Sequence, residues 1–132
     1  MKLEKGQVNG IKMYCLDTYA LIEIANGNPK FSFLMREEFM IINTTLAEFY
    51  WVLLREKGKE DAEYWVDKLS NFTLNITKEI MLKAQNFRFV NKKKNLSFFD
   101  CVGYIFSKEN NYIFVTGDKE FKDLEGVEFI QK

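Results

Sequence analysis

The stretch "NLSFFDCVGYIFSKENNYIFVTGDKEF", residues 95–121, has the pattern of a buried helix followed by a buried strand. Ser97 stands where a helix N-cap is expected, and the largely apolar run Tyr112–Thr116 is typical of a strand covered on both faces. Two acids, Asp100 and Asp118, interrupt this apolar pattern. Because a buried carboxylate loses its hydration at a high cost in free energy, the two acids indicate a site rather than ordinary core.

Outward from this stretch, the chain alternates between apolar strands and amphipathic helices. Strands are predicted over 11–16, 39–43, 73–76, 112–116 and 127–130, and helices over 18–25, 31–38, 45–57, 59–70, 78–90 and 97–110. This alternation predicts an α/β three-layer sandwich around a five-stranded parallel sheet. We expect a single domain over 11–132, preceded by a loosely held polar extension over 1–10.

Composition excludes several kinds of chemistry. With 132 residues, 47% of them apolar, the chain can bury one core. No apolar run approaches the ~20 residues of a membrane span and no secretory signal opens the chain, so a cytoplasmic location is expected. The absence of histidine excludes Ser-His-Asp triads and Cys/His zinc sites, and Cys15 and Cys101 are expected to be core residues. The net charge is zero, so any attraction for nucleic acid must come from charges sorted locally.

Four acids are predicted at one edge of the sheet. Asp17 ends the first strand and Asp118 lies just past the fourth. Glu48 is near the start of the helix after the second strand, and Asp100 near the start of the helix that precedes the fourth. In an open parallel sheet the carboxyl ends of the strands share one edge, where ligands bind. We therefore expect the four side chains to share one cleft.

Helix capping is the alternative explanation for each acid. "TLAE" at 45–48 matches a capping box, and "SFFD" at 97–100 has the same shape. Asp17 and Asp118 would each cap a following helix. Helix N-termini favour a negative charge by roughly 0.3–1 kcal/mol without any function. Taken singly, capping is the preferred explanation for Glu48, but it does not explain why four acids share one edge.

Four carboxylates in one cleft need compensation. Two unit charges ~5 Å apart repel by roughly 3 kcal/mol at an effective dielectric of about 20. Either some of the carboxyls are protonated or a divalent cation neutralises them. Ligands that are all oxygen favour Mg²⁺ or Mn²⁺, and such an ion suits phosphodiester hydrolysis because it polarises a phosphoryl oxygen and activates water.

Four blocks of the sequence resemble the PIN-domain ribonuclease family, including VapC-type toxins: "CLDTYALIEI", "TTLAEFYWVL", "LSFFDCVGYIFSKENNYIFVTGDKEF" and "GVEFI". The resemblance covers nearly the whole chain after about Ile11. It implies that the first strand is central, in the strand order 3-2-1-4-5. It also implies a metal site with one or two Mg²⁺ or Mn²⁺ ions, since Asp17, Glu48, Asp100 and Asp118 match the family's acidic positions. Thr116 matches the hydroxyl residue that supports the last acid.

The same resemblance implies an activity and partners. Family members hydrolyse single-stranded or loop RNA with metal assistance, leaving a 5′-phosphate and a 3′-hydroxyl. Toxin members pair with an antitoxin protein and usually form homodimers, so we expect RNA, an antitoxin and a second copy of the chain as partners. Two residues depart from the usual pattern: Tyr19 replaces a small polar residue, and Glu120, expected in support of the site, replaces a second Asp.

Two further features have competing explanations. The lysines of "NKKKN", Lys92, Lys93 and Lys94, would guide an RNA backbone toward the cleft, although a solvated charged loop is the preferred interpretation. Aromatic residues at Phe31, Phe33, Tyr50 and Trp51 suit core packing, base stacking or a protein interface. We favour an interface for the region 31–33.

Three other classes of protein remain as alternatives. A phosphotransfer receiver domain would need an acidic pair near the first strand and an Asp ending the third, but only Asp17 and the segment Asn75–Thr77 stand there. A haloacid-dehalogenase-like phosphatase would need an Asp where Tyr19 stands. The third alternative is a non-catalytic binding module that keeps the PIN fold, and the intact set of four acids argues against it.

Overall fold

The computed structural model describes residues 5–132, and residues 1–4 of the predicted extension lie outside this range. The strands are β1 (Gln7–Val8), β2 (Ile11–Lys12), β3 (Tyr14–Leu16), β4 (Phe39–Ile42), β5 (Thr73–Leu74), β6 (Ile113–Thr116) and β7 (Val127–Phe129). The helices are α1 (Thr18–Ala25), α2 (Pro29–Ser32), α3 (Asn43–Glu56), α4 (Lys59–Leu69), α5 (Lys78–Val90) and α6 (Phe98–Asn110), with 3-10 turns at Phe33–Arg36, Ser70–Phe72 and Lys119–Phe121. None of the helices in residues 5–132 combines the length and the apolar character needed to cross a membrane.

The main sheet has five strands in the order β5-β4-β3-β6-β7, and all pairings are parallel. β3 is the strand predicted first, so the expected order 3-2-1-4-5 with a central first strand is confirmed. Tyr14 pairs in register with Phe39 on one side and with Ile113 on the other. The carboxyl ends of β3 and β6 therefore lie side by side.

Two hydrophobic cores cover the two faces of the sheet, which confirms the three-layer sandwich. Alternate residues of β3 point to opposite faces, with Tyr14 and Leu16 in one core and Cys15 in the other. Helices α1 to α4 contribute to the first core, and α5 and α6 contribute to the second. Phe31 of α2 is fully buried in the first core, so an interface role is wrong for that residue.

The strand predicted over 11–16 is divided in two. Residues Ile11–Lys12 pair antiparallel with Gln7–Val8 in a hairpin, and only Tyr14–Leu16 join the main sheet. Asn9 and Gly10 form the turn with φ of 54° and 80°, the left-handed conformation that tight hairpins require. The predicted boundary at residues 10 and 11 therefore falls within this hairpin, to which residues 7–10 of the expected extension contribute a strand and the turn.

The N-termini of the helices can be compared with the predicted capping residues. Thr77 accepts the Ile80 amide at 3.2 Å and Ser97 accepts the Asp100 amide at 3.0 Å, as expected for N-caps. The capping box at 45–48 is wrong, because β4 runs directly into a helix that begins at Asn43, leaving Thr45 inside it. The helix predicted over 31–38 begins earlier, with Pro29 in its first turn, and continues as a 3-10 turn.

Candidate active site

A cleft of about 280 Å³ lies at the carboxyl edge of the sheet, and all four acids line it. Asp17 follows β3 and Asp118 follows β6, whereas Glu48 lies in the second turn of α3 and Asp100 in the first turn of α6. The other lining residues are Thr18, Tyr19, Ile22, Val52, Ser97 and Gly117. No basic side chain is among these lining residues, so the cleft is strongly acidic. It is not the largest concavity, since a groove between α3 and α4 has about 560 Å³.

Asp17 is held rigidly at the floor of the cleft. Its amide donates to the carbonyl of Val115 at 3.1 Å, which continues the pairing of β3 with β6. Its Oδ1 accepts the amide of Ala20 at 2.8 Å, so the residue also caps α1. The side chain is only 2% exposed. Capping and membership of the cleft are thus compatible, because one carboxyl does both.

Thr116 lies beneath two of the acids. It is fully buried at the end of β6, and its hydroxyl accepts the Asp118 amide at 3.1 Å. The same hydroxyl bonds to the carboxyl of Asp17. Asp118 in turn accepts the amide of Glu120 on Oδ1 at 3.0 Å. Glu120 therefore supports Asp118 through its main chain, and its side chain is not among the residues that line the cleft.

Glu48 has a partner that sequence reasoning missed. The hydroxyl of Thr18 donates a hydrogen bond to Oε1 of Glu48, across the junction of α1 and α3. This contact, rather than a capping box, orients the Glu48 carboxyl. The residue next to Asp17 gave no sequence signal of its own, since a threonine at the start of a helix is common.

Burial and mutual repulsion raise the pKa values of two of the four acids. Burial raises the pKa of Asp100 to about 8, and the neighbouring charges of Asp17, Asp118 and Glu48 add to the effect. Burial likewise raises the pKa of Asp17 to about 7, against the opposing hydrogen bonds from Thr116 and the Ala20 amide. Both carboxyls are therefore partly protonated near neutral pH. A divalent cation in the cleft would favour the ionised forms of both carboxyls.

Tyr19 shapes the mouth of the cleft. Its ring lies so close to Gly117 that a Cβ on that glycine would be 2.3 Å from Cε1 of the tyrosine. The Tyr19 hydroxyl accepts the amide of Lys132 at 3.1 Å. The glycine between Thr116 and Asp118 thus allows the ring to pack against the main chain that holds both residues.

The donor set suits a hard divalent cation, because every candidate ligand in the cleft is an oxygen. Within residues 5–132, however, no group of three or more Asp, Glu, Cys or His side chains is arranged to hold a metal ion as the side chains stand. One oxygen each of Asp17, Glu48 and Asp118 is already engaged by a protein donor. The cleft therefore has the chemistry of a metal site without a closed coordination shell.

The three lysines of the 91–95 loop lie outside this cleft. Lys92 and Lys94 line a separate groove of about 400 Å³ together with Arg88 and Phe89. Lys93 lines neither concavity.

Solved structures of similar fold include a bacterial toxin and two bacterial complexes. VapC20 from Mycobacterium tuberculosis, a toxin that cleaves the sarcin-ricin loop, has a TM-score of 0.71 at 17% identity and matches 85% of this chain and 95% of its own. VapBC2 from Rickettsia felis, bound to a DNA fragment from its promoter, gives 0.71 at 19% identity over 90% and 99%. A toxin–antitoxin complex from Klebsiella pneumoniae gives 0.69 at 16% identity over 87% and 95%. At these identities the likeness establishes the fold.

A comparison with curated protein sequences gave no match. The family model of the PIN domain matches residues 14–127, which is most of the chain and spans all four acids. This match, the sheet order and the similar structures together exclude the receiver-domain and phosphatase alternatives. The chain belongs to the PIN domain family.

Proposed function

We propose that this protein is a metal-dependent endoribonuclease and the toxin of a toxin–antitoxin pair. The observation that carries the proposal is the convergence of Asp17, Glu48, Asp100 and Asp118 on one cleft where burial and mutual repulsion raise two of their pKa values. A site of this kind is stabilised by a doubly charged ion, and PIN domain membership is consistent with a nuclease.

In this proposal Asp17, Asp100 and Asp118 hold one or two Mg²⁺ or Mn²⁺ ions. The ion supplies Lewis-acid polarisation of a phosphoryl oxygen and a lowered pKa for water. Thr116 bonds to the Asp17 carboxyl and to the Asp118 amide, so it would hold the Asp17 carboxyl and the Asp118 main chain in place before an ion arrives. Such support for ligands by outer groups is a general feature of metal sites.

Glu48 either joins the ligands or positions the attacking water. Its Oε1 accepts from Thr18, which leaves Oε2 as the atom that would take a proton from that water. In-line attack would leave a 5′-phosphate and a 3′-hydroxyl on the RNA.

The proposed partners are RNA, an antitoxin and a second copy of the chain. The antitoxin is supported by two structures of similar fold, which are a toxin–antitoxin complex and a VapBC pair bound to promoter DNA. Homodimer formation rests on the family resemblance and is tested by sedimentation of the purified protein.

The decisive experiment replaces Asp17 or Asp118 by Asn and measures RNA cleavage with Mg²⁺ or Mn²⁺. Each variant should lose at least about a hundredfold in rate, as expected when a group that stabilises transition-state charge is removed. Asp61→Asn is the matched control, because Asp61 is exposed on α4 and lines no part of the cleft. Undiminished cleavage by both cleft variants would overturn the proposal.

A non-catalytic binding module is the second candidate, favoured by the open coordination shell within residues 5–132. Calorimetric titration with Mn²⁺ separates the two. Binding that is lost in Asp17→Asn supports the nuclease, whereas an absence of binding to the wild-type protein supports the module.

A further inference from the structure

The charges of this neutral chain are sorted between two neighbouring concavities. The cleft has four acids and no base among its lining residues. The second groove, of about 400 Å³, is lined by Arg88, Lys92 and Lys94 and by no acid. Its other lining residues are Gln85, Phe89, Asn95 and Leu96. We call this second concavity the basic groove. Three cations around one hollow favour a polyanionic ligand.

An exposed aromatic ring stands in the basic groove. Phe89 lies near the end of α5 and is 65% exposed, although nothing about its helix requires a large apolar side chain there. Lys92 Nζ lies 4.7 Å from the centroid of the ring, over its face. An exposed ring flanked by cations suits a single-stranded nucleic acid, whose base would stack on the ring while a phosphate pairs with a cation.

The basic groove adjoins the cleft. The chain from Lys94 to Leu96 lines the groove, and the next residues of the same segment, Ser97 and Asp100, line the cleft. Lys94 Nζ donates to the carbonyl of Glu120 at 3.4 Å, two residues beyond Asp118. A nucleic-acid strand that passed through the cleft would therefore come close to Lys94.

Arg88 is held at the rim of the groove. Its Nε donates to the carbonyl of Leu96 at 3.1 Å, which fixes the guanidinium against the start of the segment that leads to α6. A guanidinium has five N–H donors, so one bond to a carbonyl leaves others for a phosphate.

We propose that the basic groove binds one nucleotide of a single-stranded RNA whose neighbouring phosphate lies in the acidic cleft. The base stacks on Phe89, and Arg88, Lys92 and Lys94 pair with the phosphates on either side of it. The identity of the ligand as RNA rests on the proposed function. The groove gives the RNA a direction across the molecule, from the end of α5 to the edge of the sheet.

Binding is tested without cleavage. The affinity of the wild-type protein for a fluorescent, unstructured oligoribonucleotide of about twelve nucleotides is measured by anisotropy in a chelator, at several salt concentrations. The single variants Lys92→Gln and Lys94→Gln should each bind more weakly and reduce the slope of log affinity against log salt by about 0.7, and the double variant should reduce it by about 1.4. Phe89→Ala should weaken binding about tenfold, and Phe89→Tyr should restore it because it keeps a ring.

Lys93→Gln is the matched control, because Lys93 belongs to the same loop and lines neither concavity. Its effect on the slope should be less than half that of either groove lysine. Equal effects of all three lysines would overturn the inference, as would a wild-type protein that does not bind the oligonucleotide. A groove variant that changes the sedimentation of the protein but not its RNA affinity would assign the groove to a protein partner and also overturn it.

The outcomes separate this inference from the nuclease proposal. Groove variants that weaken binding in a protein that does not cleave RNA with Mn²⁺ would support the groove and refute the nuclease. Cleavage of the same oligonucleotide at an unchanged affinity in the groove variants would refute the groove alone.

Discussion

The hydroxyl of Thr116 accepts a hydrogen bond from the main-chain amide of Asp118 at 3.1 Å. The same hydroxyl bonds to the carboxyl of Asp17 and opposes the rise in its pKa that burial causes. Because Thr116 is fully buried at the end of β6, a single side chain fixes two acids that come from neighbouring strands. Besides the pairing of β3 with β6, one hydroxyl that does not line the cleft therefore supports the placement of both Asp17 and Asp118.

Replacement of Thr116 by Val should weaken the site and the fold together. Val has nearly the shape of Thr but leaves the Asp118 amide and the Asp17 carboxyl without their partner, at a cost of about 1–3 kcal/mol in the free energy of unfolding. The rise in melting temperature on adding Mn²⁺ should also shrink, by an amount equivalent to about 10–100-fold in affinity.

Two variants distinguish a role at the site from general destabilisation. Thr116→Ser keeps the hydroxyl and should retain the response to Mn²⁺. Thr73 lies on the edge strand β5, away from the cleft, and its hydroxyl donates to the Leu69 carbonyl. Thr73→Val should therefore lower stability without altering the response to Mn²⁺. If Thr116→Val and Thr73→Val changed the response to Mn²⁺ equally, the hydroxyl would have no special part in the site.

The stability of the metal-free protein should fall as the pH rises from about 4 to about 8. The carboxyls of Asp17 and Asp100 have folded pKa values of about 7 and about 8, raised from the ordinary value of 3.8. Between these values the folded protein holds more protons than the unfolded chain, so the free energy of unfolding decreases with pH and levels off above the folded pKa values.

Asp100→Asn provides the comparison, because its amide does not ionise. Thermal denaturation in a chelator should show a smaller loss of stability over this pH range in Asp100→Asn than in the wild-type protein. Asp61→Asn on the exposed face of α4 should behave like wild type. Added Mn²⁺ should stabilise the wild-type protein most at the upper end of the range, where the carboxyls release their protons. Identical pH profiles for wild type and Asp100→Asn would contradict the raised pKa.

Much of the fold follows from periodicity in the sequence. The bounds of α1 and α5 agree with prediction, and most other helix and strand ends lie within two residues of the predicted ends. The four acids could be assigned to one edge because parallel strands end together, a rule that needs no side-chain detail. The hairpin turn at Asn9 and Gly10 was missed, although Asn-Gly between apolar residues is a strong hairpin signal.

Other features could not be read from the sequence for physical reasons. The pairing of Thr18 with Glu48 joins residues thirty positions apart and depends on how α1 packs against α3. The capping box at 45–48 satisfies a local pattern, but the path of the chain out of β4 decides where the helix begins. The burial of Phe31 depends likewise on how α2 packs against α1, where its ring meets Tyr19.

Both cysteines should be unreactive in the folded protein. Cys15 and Cys101 are fully buried, and burial raises their pKa values to about 12 and about 11. Because the thiolate is the reactive form, alkylation by iodoacetamide followed by mass spectrometry should detect no modification until the protein unfolds. Rapid labelling of either cysteine under native conditions would show that its core opens locally.

A methyl group at Gly117 should destabilise the protein through Tyr19. The Cβ of Gly117→Ala would lie 2.3 Å from Cε1 of the tyrosine, whose ring also packs against Phe31 with centroids 5.9 Å apart. The ring cannot move away without losing that contact, so we expect a loss of about 1–3 kcal/mol in the free energy of unfolding, measured by urea denaturation.

Tyr19→Ser, which places a small polar residue there, should remove the clash. In the double variant Gly117→Ala and Tyr19→Ser, the added methyl should then cost less than in the wild-type background, and the difference is the coupling between the two residues. If the two costs simply added, the strain would arise in the main chain between Thr116 and Asp118 instead, and Tyr19 would have no part in requiring the glycine.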